Sequence, residues 1–256
     1  ETRRRLVYVT RTDEENQKHC EVMVIGEVII DCFTNLIHND VQRDQYDNPI
    51  YNVRLSHRDY KLGGAGNVLS NLSAMDVDTS IVTILGESSV EGFPLEAMQR
   101  KPRGAKSANF VETDLYTTPF KHRFYDDDKE VMRMDVIERP LVNIQVCGYL
   151  GGFVLDSLSR EYDLKVVVLS DYGKGFMRAL LEESNMFDEW SKPIVVDARP
   201  QSFTGPLKWL PNTQCDNMFL KISGQDLWWL VNYCAKEFSP PSFSHSMFLG
   251  YTERHH

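Results

Sequence analysis

The sequence predicts an α/β fold organised on a mostly parallel central sheet. Apolar runs of β-formers recur at Val22–Ile30, Thr79–Leu85, Lys165–Leu169 and Pro193–Val196. Each is short enough for a strand buried on both faces. Helical patterns alternate with them at Val68–Met75, Val90–Arg100, Leu141–Glu161 and Phe176–Trp190. Such alternation builds crossover units that cover a sheet from both sides. Finally, Asp31, Asp171 and Asp197 each follow an apolar strand directly. Ligands of open α/β sheets bind beyond the carboxyl ends of the strands, so these three acids are expected to converge.

The remaining elements follow in order. Residues 1–20 are polar and charged and read as a tail or an added edge strand. Residues 33–60 are polar with scattered aromatics; Asn48-Pro49 marks a turn and Ile50–Leu55 an exposed strand. Gly86 closes the Thr79–Leu85 strand, and Lys101-Pro102-Arg103-Gly104 ends the Val90–Arg100 helix. Phe120–Tyr125 and Glu130–Asp135 flank Asp126-Asp127-Asp128-Lys129, a hairpin with an exposed acidic turn. After about Leu220 the pattern degrades, through Trp228-Trp229 and Ser239-Pro240-Pro241-Ser242.

Composition narrows the function classes. The chain has 256 residues, 42% apolar and 25% charged, enough for one large core. Its net charge of −9 disfavours non-specific nucleic-acid binding. No apolar run reaches bilayer-spanning length and no signal-like apolar core stands near Glu1, so a cytoplasmic protein without membrane contact is expected. Five scattered cysteines offer neither a disulfide framework nor zinc spacing. There is no P-loop and no Gly-x-Ser-x-Gly element.

Three constellations carry candidate chemistry. Gly63-Gly64-Ala65-Gly66-Asn67 opens the Val68–Met75 helix and offers backbone N–H groups to a ligand, with Asn67 as an added donor and acceptor. Asp31 would accept hydrogen bonds from a polyhydroxylated ligand. The bland alternative is a tight turn before a helix. Ser170-Asp171-Tyr172-Gly173-Lys174-Gly175 sets an acid and a base on a glycine-flexed loop. Lys174 could hold a phosphate and Asp171 a hydroxyl or a water-bridged metal; the alternative is a solvated ion pair. Lys121, Arg123 and Arg133 lie on the hairpin arms, where Lys121 and Arg123 share a face and could clamp an anion. The alternative there is a solvated edge.

In order along the chain, these segments resemble the ribokinase-like (PfkB) carbohydrate kinases, and within them the branch acting on heptose 7-phosphate. The likeness is carried by Val24-Ile25-Gly26-Glu27-Val28-Ile29-Ile30-Asp31, Gly63-Gly64-Ala65-Gly66-Asn67, Thr118-Pro119-Phe120-Lys121-His122-Arg123 and Met132-Arg133-Met134-Asp135. It continues through Val168-Leu169-Ser170-Asp171-Tyr172-Gly173-Lys174-Gly175, Val195-Val196-Asp197-Ala198-Arg199 and Leu210-Pro211-Asn212. The Gly-Gly-x-x-Asn element is general to the superfamily; the Ser-Asp-Tyr-x-Lys-Gly loop and the Lys-x-Arg pair are more specific to the heptose-kinase branch.

The resemblance implies a ribokinase-like three-layer sandwich spanning 21–220, with a small β lid from 33–60 and 118–135 that mediates homodimerisation. It implies a sugar or sugar-phosphate substrate and ATP with Mg2+ as cofactors. Asp31, Gly63, Gly64 and Asn67 would bind sugar hydroxyls, with Lys121, Arg123 and Arg133 near the sugar or its phosphate. Asp171, Lys174, Asp197, Arg199 and Asn212 would line the approach to the transferred phosphate and magnesium.

The chain also departs from the family pattern. No Asp-x-x-Gly-Ala-Gly-Asp run occurs, so no catalytic base is assigned and 221–256 is expected to be a shortened or diverged tail. Asn212-Thr213-Gln214-Cys215 stands where the family has Asn-x-x-Glu, and a thiol suits magnesium poorly. No residue is assigned as a direct metal ligand. Two functions follow: a phosphotransferase of the heptose 7-phosphate type, or a non-catalytic sugar-phosphate-binding or scaffold protein on the same fold.

Overall fold

The computed structural model describes residues 6–12, 20–86, 105–113, 116–136, 144–160, 163–177, 180, 192–198 and 218–221. Two sheets organise these residues. The larger has seven strands in the order β1-β6-β5-β2-β9-β10-β11. They are β1 (Leu6–Thr12), β2 (Val22–Gly26), β5 (Thr79–Gly86), β6 (Ala105–Thr113), β9 (Val166–Asp171), β10 (Ile194–Ala198) and β11 (Met218–Lys221). Neighbours run parallel except β1, which pairs antiparallel with β6 from Leu6↔Thr113 to Thr12↔Ser107. Part of the polar N-terminal stretch is thus an added edge strand.

Alternate residues of the inner strands feed two separate cores. Met23 and Ile25 pack with Phe153, Val154 and Leu158 of helix α2 (Ile144–Arg160). Val24 joins Ala65 and Leu69 of helix α1 (Ala65–Ala74) on the other side. With side chains alternating across a strand, a sheet buried on both faces needs apolar residues at every position. All eight residues of β5 are buried accordingly. The result is the three-layer α/β arrangement expected from the alternating pattern.

The smaller sheet is mixed, with strand order β4-β3-β7-β8. Its strands are β3 (Val28–Arg43), β4 (Pro49–Gly64), β7 (Phe120–Asp126) and β8 (Lys129–Val136). Here the expectation of one buried strand over Val22–Ile30 is corrected. The chain leaves β2 at Gly26, passes through Glu27 and enters β3 at Val28, which belongs to the other sheet. An uninterrupted apolar pattern on both sides of Glu27 hides this change of sheet. The exposed strand expected at Ile50–Leu55 is the start of the much longer β4. The Phe120–Asp126 and Lys129–Val136 arms form the expected hairpin, with Asp127 at a positive φ of 51° in its turn.

The helix expected at Val90–Arg100, and all but the first residues of the one at Phe176–Trp190, lie outside the described residues. So do Trp228-Trp229 and the tail beyond 221.

Candidate functional site

The passage from one sheet to the other brings β3 alongside the loop that follows β9. Glu27 stands at this joint and is fully buried. Its Oε2 accepts N–H bonds from Tyr172 (3.3 Å) and Lys174 (3.0 Å), and its Oε1 accepts one from Phe176 (2.8 Å). Its main-chain oxygen accepts the Ala65 N–H at 2.8 Å. The first N–H of helix α1 is therefore already engaged, and the glycine pair before it does not leave that group free for a ligand. Burial, then the nearby Asp171 carboxylate, push the Glu27 carboxyl up to about 7 against the three backbone hydrogen bonds. Tyr116 is buried, its hydroxyl accepts and donates no hydrogen bond among the described residues, and burial followed by the Glu27 charge raises its ionisation. Sequence reasoning assigned Glu27 no role. The available signal was a carboxylate inside an otherwise apolar run.

Asp31 lies inside β3 rather than at a strand's carboxyl end, in register with Lys61 on one side and Lys121 on the other. Its side chain fits because residue 63 is glycine: a Cβ there would collide with Asp31 Oδ2. Gly64, at φ 60°, brings the chain tightly past the Glu27 carbonyl. Arg123 Nη2 is 3.6 Å from Asp31 Oδ1, and both side chains are 20% exposed. That Oδ1 is buried yet accepts no hydrogen bond among the described residues. A carboxylate oxygen with this unused capacity and a cation behind it is built to receive a donor such as a sugar hydroxyl.

Cations frame this oxygen. Lys121 is half-buried, and desolvation holds its ammonium below the ordinary lysine range. Asp31 and Asp135 oppose that shift, while Lys174 and Arg123 add to it. Lys174, from the loop after β9, therefore lies within electrostatic reach of Lys121 on β7. Arg123 also pairs with Glu130 at 3.2 Å and lies 6.0 Å from the Phe33 ring centroid. Lys61 Nζ stands 5.2 Å from the same ring. Phe33, Asp31, Lys121 and Arg123 share one face of the sheet by register. Phe33 and Lys61 were not picked out from the sequence, because a lone aromatic on a polar strand carries no motif.

The other anticipated residues stand further apart. Arg133 is opposite Arg123 in the ladder, but it is exposed and bound to Glu130 at 3.2 Å, at the outer end of the cluster. Asn67 is exposed on the first turn of α1. Asp171 ends β9 and accepts the Gly173 N–H at 2.8 Å. Asp197 is in register with Ser170, whereas Asp171 is in register with Ala198. The pleat thus directs Asp171 and Asp197 to opposite faces, and Asp197 Oδ2 accepts from Lys221 Nζ at 2.9 Å. In place of the expected convergence of Asp31, Asp171 and Asp197, Asp31 stands with Lys121 and Arg123, Lys174 lies within electrostatic reach of Lys121, and Asp171 acts on Glu27. Arg199 and Asn212 lie outside the described residues. Among those described, no group of three His, Cys, Asp or Glu side chains could enclose a metal, and no helix is long and apolar enough to cross a membrane.

No family profile matches the chain. Among curated proteins, the bifunctional protein HldE of Magnetococcus marinus is 31% identical over 162 residues, which are 63% of this chain and 32% of that protein. The HldE of Pasteurella multocida is 26% identical over 186 residues, 73% of this chain and 37% of that protein. The chain thus spans about a third of the length of these relatives. Among solved structures, Escherichia coli phosphofructokinase-2 superposes with a TM-score of 0.54 at 13% identity, covering 84% of this chain and 64% of that one. Thermotoga maritima ribokinase gives 0.52 at 13% identity, covering 86% and 65%. The chain has the ribokinase-like fold of the PfkB sugar kinases, and its sequence relatives are HldE proteins.

Proposed function

We propose that this chain binds a sugar phosphate for phosphoryl transfer of the heptose 7-phosphate type, as the kinase part of HldE-like proteins. The buried Asp31 Oδ1, which accepts no hydrogen bond among the described residues and stands by Lys121 and Arg123, carries the reading. An acceptor beside two cations suits a ligand that bears both a hydroxyl and an anionic group. In this reading Asp31 accepts a sugar hydroxyl, and Gly63 and Gly64 keep the space for its carboxylate. Lys121 and Arg123 hold the sugar's phosphate, with Arg133 and Asn67 at the rim. Lys174 attracts the phosphate to be transferred.

ATP and Mg2+ complete the proposal. Magnesium is commonly held by one or two carboxylates together with substrate phosphates, and Asp171, a hard oxygen donor beside Lys174, suits that mode. When bound, it would neutralise charge on the phosphates in transit. By resemblance Arg199 and Asn212 belong to the same proposed approach, whereas Asp197, on the face opposite Asp171 and paired with Lys221, is left out of it. A cytoplasmic homodimer, joined through the four-stranded sheet as a lid, extends the reading. Exposed Met132, Met134 and Leu55 on that sheet support such a contact. Light scattering at micromolar concentration should then report a dimer, and a strict monomer would remove this part.

Cys215 in place of a glutamate favours the second reading, a sugar-phosphate binder without turnover. Calorimetric titration with heptose 7-phosphate and, separately, with ATP–magnesium decides between them. Binding of both, with ADP release on mixing, supports the kinase. Binding of the sugar phosphate alone supports the binder, and binding of neither sinks both.

A further inference from the structure

The glycines of the Tyr172–Phe176 loop have a partner that the ligand reading does not require. A buried carboxylate is costly unless hydrogen bonds replace its lost water. The groups that hydrogen-bond the Glu27 carboxylate are the N–H groups of alternate residues, Tyr172, Lys174 and Phe176. Between them stand Gly173 at φ 71° and Gly175 at φ 100°. Left-handed residues turn alternate N–H groups to one side and make a concavity for an anion. Here the anion is the protein's own. The intervening Gly173 N–H goes instead to Asp171 Oδ1. Loop shape, and with it the placement of Asp171 and Lys174, is thereby written from behind by Glu27.

The same residue acts on the opposite wall. Its carbonyl holds the Ala65 N–H, directly after the Gly63-Gly64 pair that makes room for Asp31. We propose that Glu27 is a positioning residue: its carboxylate shapes the 171–176 loop and its carbonyl fixes the start of α1, so that Lys174 and Asp31 meet one ligand. The ligand half of this inference rests on the function proposed above; the loop half does not. The ionised carboxylate accepts all three bonds, whereas a protonated one turns a donor towards other donors. The charged group that acts on Glu27 is Asp171, at the end of β9, and Glu27 in turn acts on Tyr116, before β7. The loop itself offers it main-chain N–H groups.

The test uses the full purified chain, as wild type and as Glu27→Gln and Gly175→Ala. Gln is nearly isosteric but must present an NH2 group to N–H donors, and Ala at residue 175 strains the loop without touching Glu27. Amide hydrogen exchange at Lys174 and Phe176 should accelerate tenfold or more in both variants, with β2 and β9 amides unchanged. Heptose 7-phosphate affinity should fall at least tenfold in both. The wild-type affinity should climb between pH 6 and 8 more steeply than that of Glu27→Gln, because the carboxyl ionises at about 7. The variant corrects for the ligand's own titration.

Unchanged loop amides in folded Glu27→Gln would overturn the inference. Loosened amides with unaltered affinity would overturn its positioning half. If Glu27→Gln fails to fold, Gly175→Ala still reads whether the loop's shape governs affinity, and unchanged affinity in that variant overturns the positioning half. Loosened amides in a protein whose wild type ignores heptose 7-phosphate would instead sink the proposed function and leave the loop's anchor standing.

Discussion

The two sheets are held by different physics. In the seven-stranded sheet, β5 is buried at every residue, and β2 and β9 are nearly so. Cohesion there comes from apolar area removed from water on both faces. In the four-stranded sheet, β7 alternates buried and half-buried residues, and seven of the eight residues of β8 are exposed. One face holds Ile30, Cys32 and Phe120 in a small cluster, and the other carries Asp31, Lys121 and Arg123. Burial supplies stability in the first sheet. In the second, the ladder mostly fixes where charges stand. The candidate site lies where the two meet, so a rigid body supports a charged surface.

Substitution should separate these roles, and the largest effect belongs to the core of the large sheet. Ile25 and Leu169 are fully buried, and Ile25→Ala or Leu169→Ala should cost about 2–5 kcal/mol of unfolding free energy. Met132→Ala on β8, where the side chain is 51% exposed, should cost well under about 1 kcal/mol. Denaturant titration of the variants checks the contrast; equal losses would abolish the division between the sheets.

A second effect, on the order of 3 kcal/mol, comes from Glu27 at the joint. Its carboxyl rises from 4.5 to about 7 on folding. Between those values the folded chain binds more protons than the unfolded one. This group's contribution is therefore fully present below about 4.5 and is lost as pH rises through about 7. Thermal unfolding of wild type minus Glu27→Gln, followed from pH 4.5 to 8, should fall with that sign. The same rise in pH should tighten the 172–176 loop, as ionisation restores its acceptor. Global stability and local order thus move in opposite directions, which a purely structural carboxylate would not produce.

How far the sequence discloses this arrangement also differs between the sheets. Every described strand of the parallel sheet that an apolar run predicted is present, because burial on both faces leaves an unbroken pattern. The change of sheet at Glu27 is not legible, since Val28, Ile29 and Ile30 continue the run in another sheet. Lys121 and Arg123 are legible as a pair through their spacing, yet their approach to Asp31 depends on the parallel β3–β7 pairing across some ninety residues. No local signal encodes such a pairing. Asp171 and Asp197 mislead for a related reason. Both end apolar runs, but the register offset that parts them belongs to the β9–β10 ladder.

Within the site, Asp31→Asn should act on binding more than on folding. The amide keeps one acceptor and adds a donor where a hydroxyl would donate, beside Arg123. A loss of tenfold or more in sugar-phosphate affinity is expected, equivalent to about 1.4 kcal/mol. The unfolding midpoint should shift little, since the altered Oδ1 accepts no hydrogen bond among the described residues. Calorimetry and denaturation on one preparation would show it. Unchanged affinity would remove Asp31 from the site.

The smallest effect is expected at Arg133, and it sharpens the boundary between the site and its rim. Arg133 binds Glu130 at 3.2 Å on an exposed strand, and Arg123 shares that same carboxylate. Removing one of two cations on an exposed acid changes stability little. Its route to the ligand is indirect: without Arg133, Glu130 draws more strongly on Arg123, whose other partner is Asp31. Arg133→Ala should therefore weaken sugar-phosphate binding about two- to threefold, and the loss should shrink as salt screens the pair. Glu130→Gln should act in the opposite sense by freeing Arg123 for the ligand. A loss at Arg133 equal to that at Arg123 would instead make the outer arm of the hairpin part of the anion clamp itself.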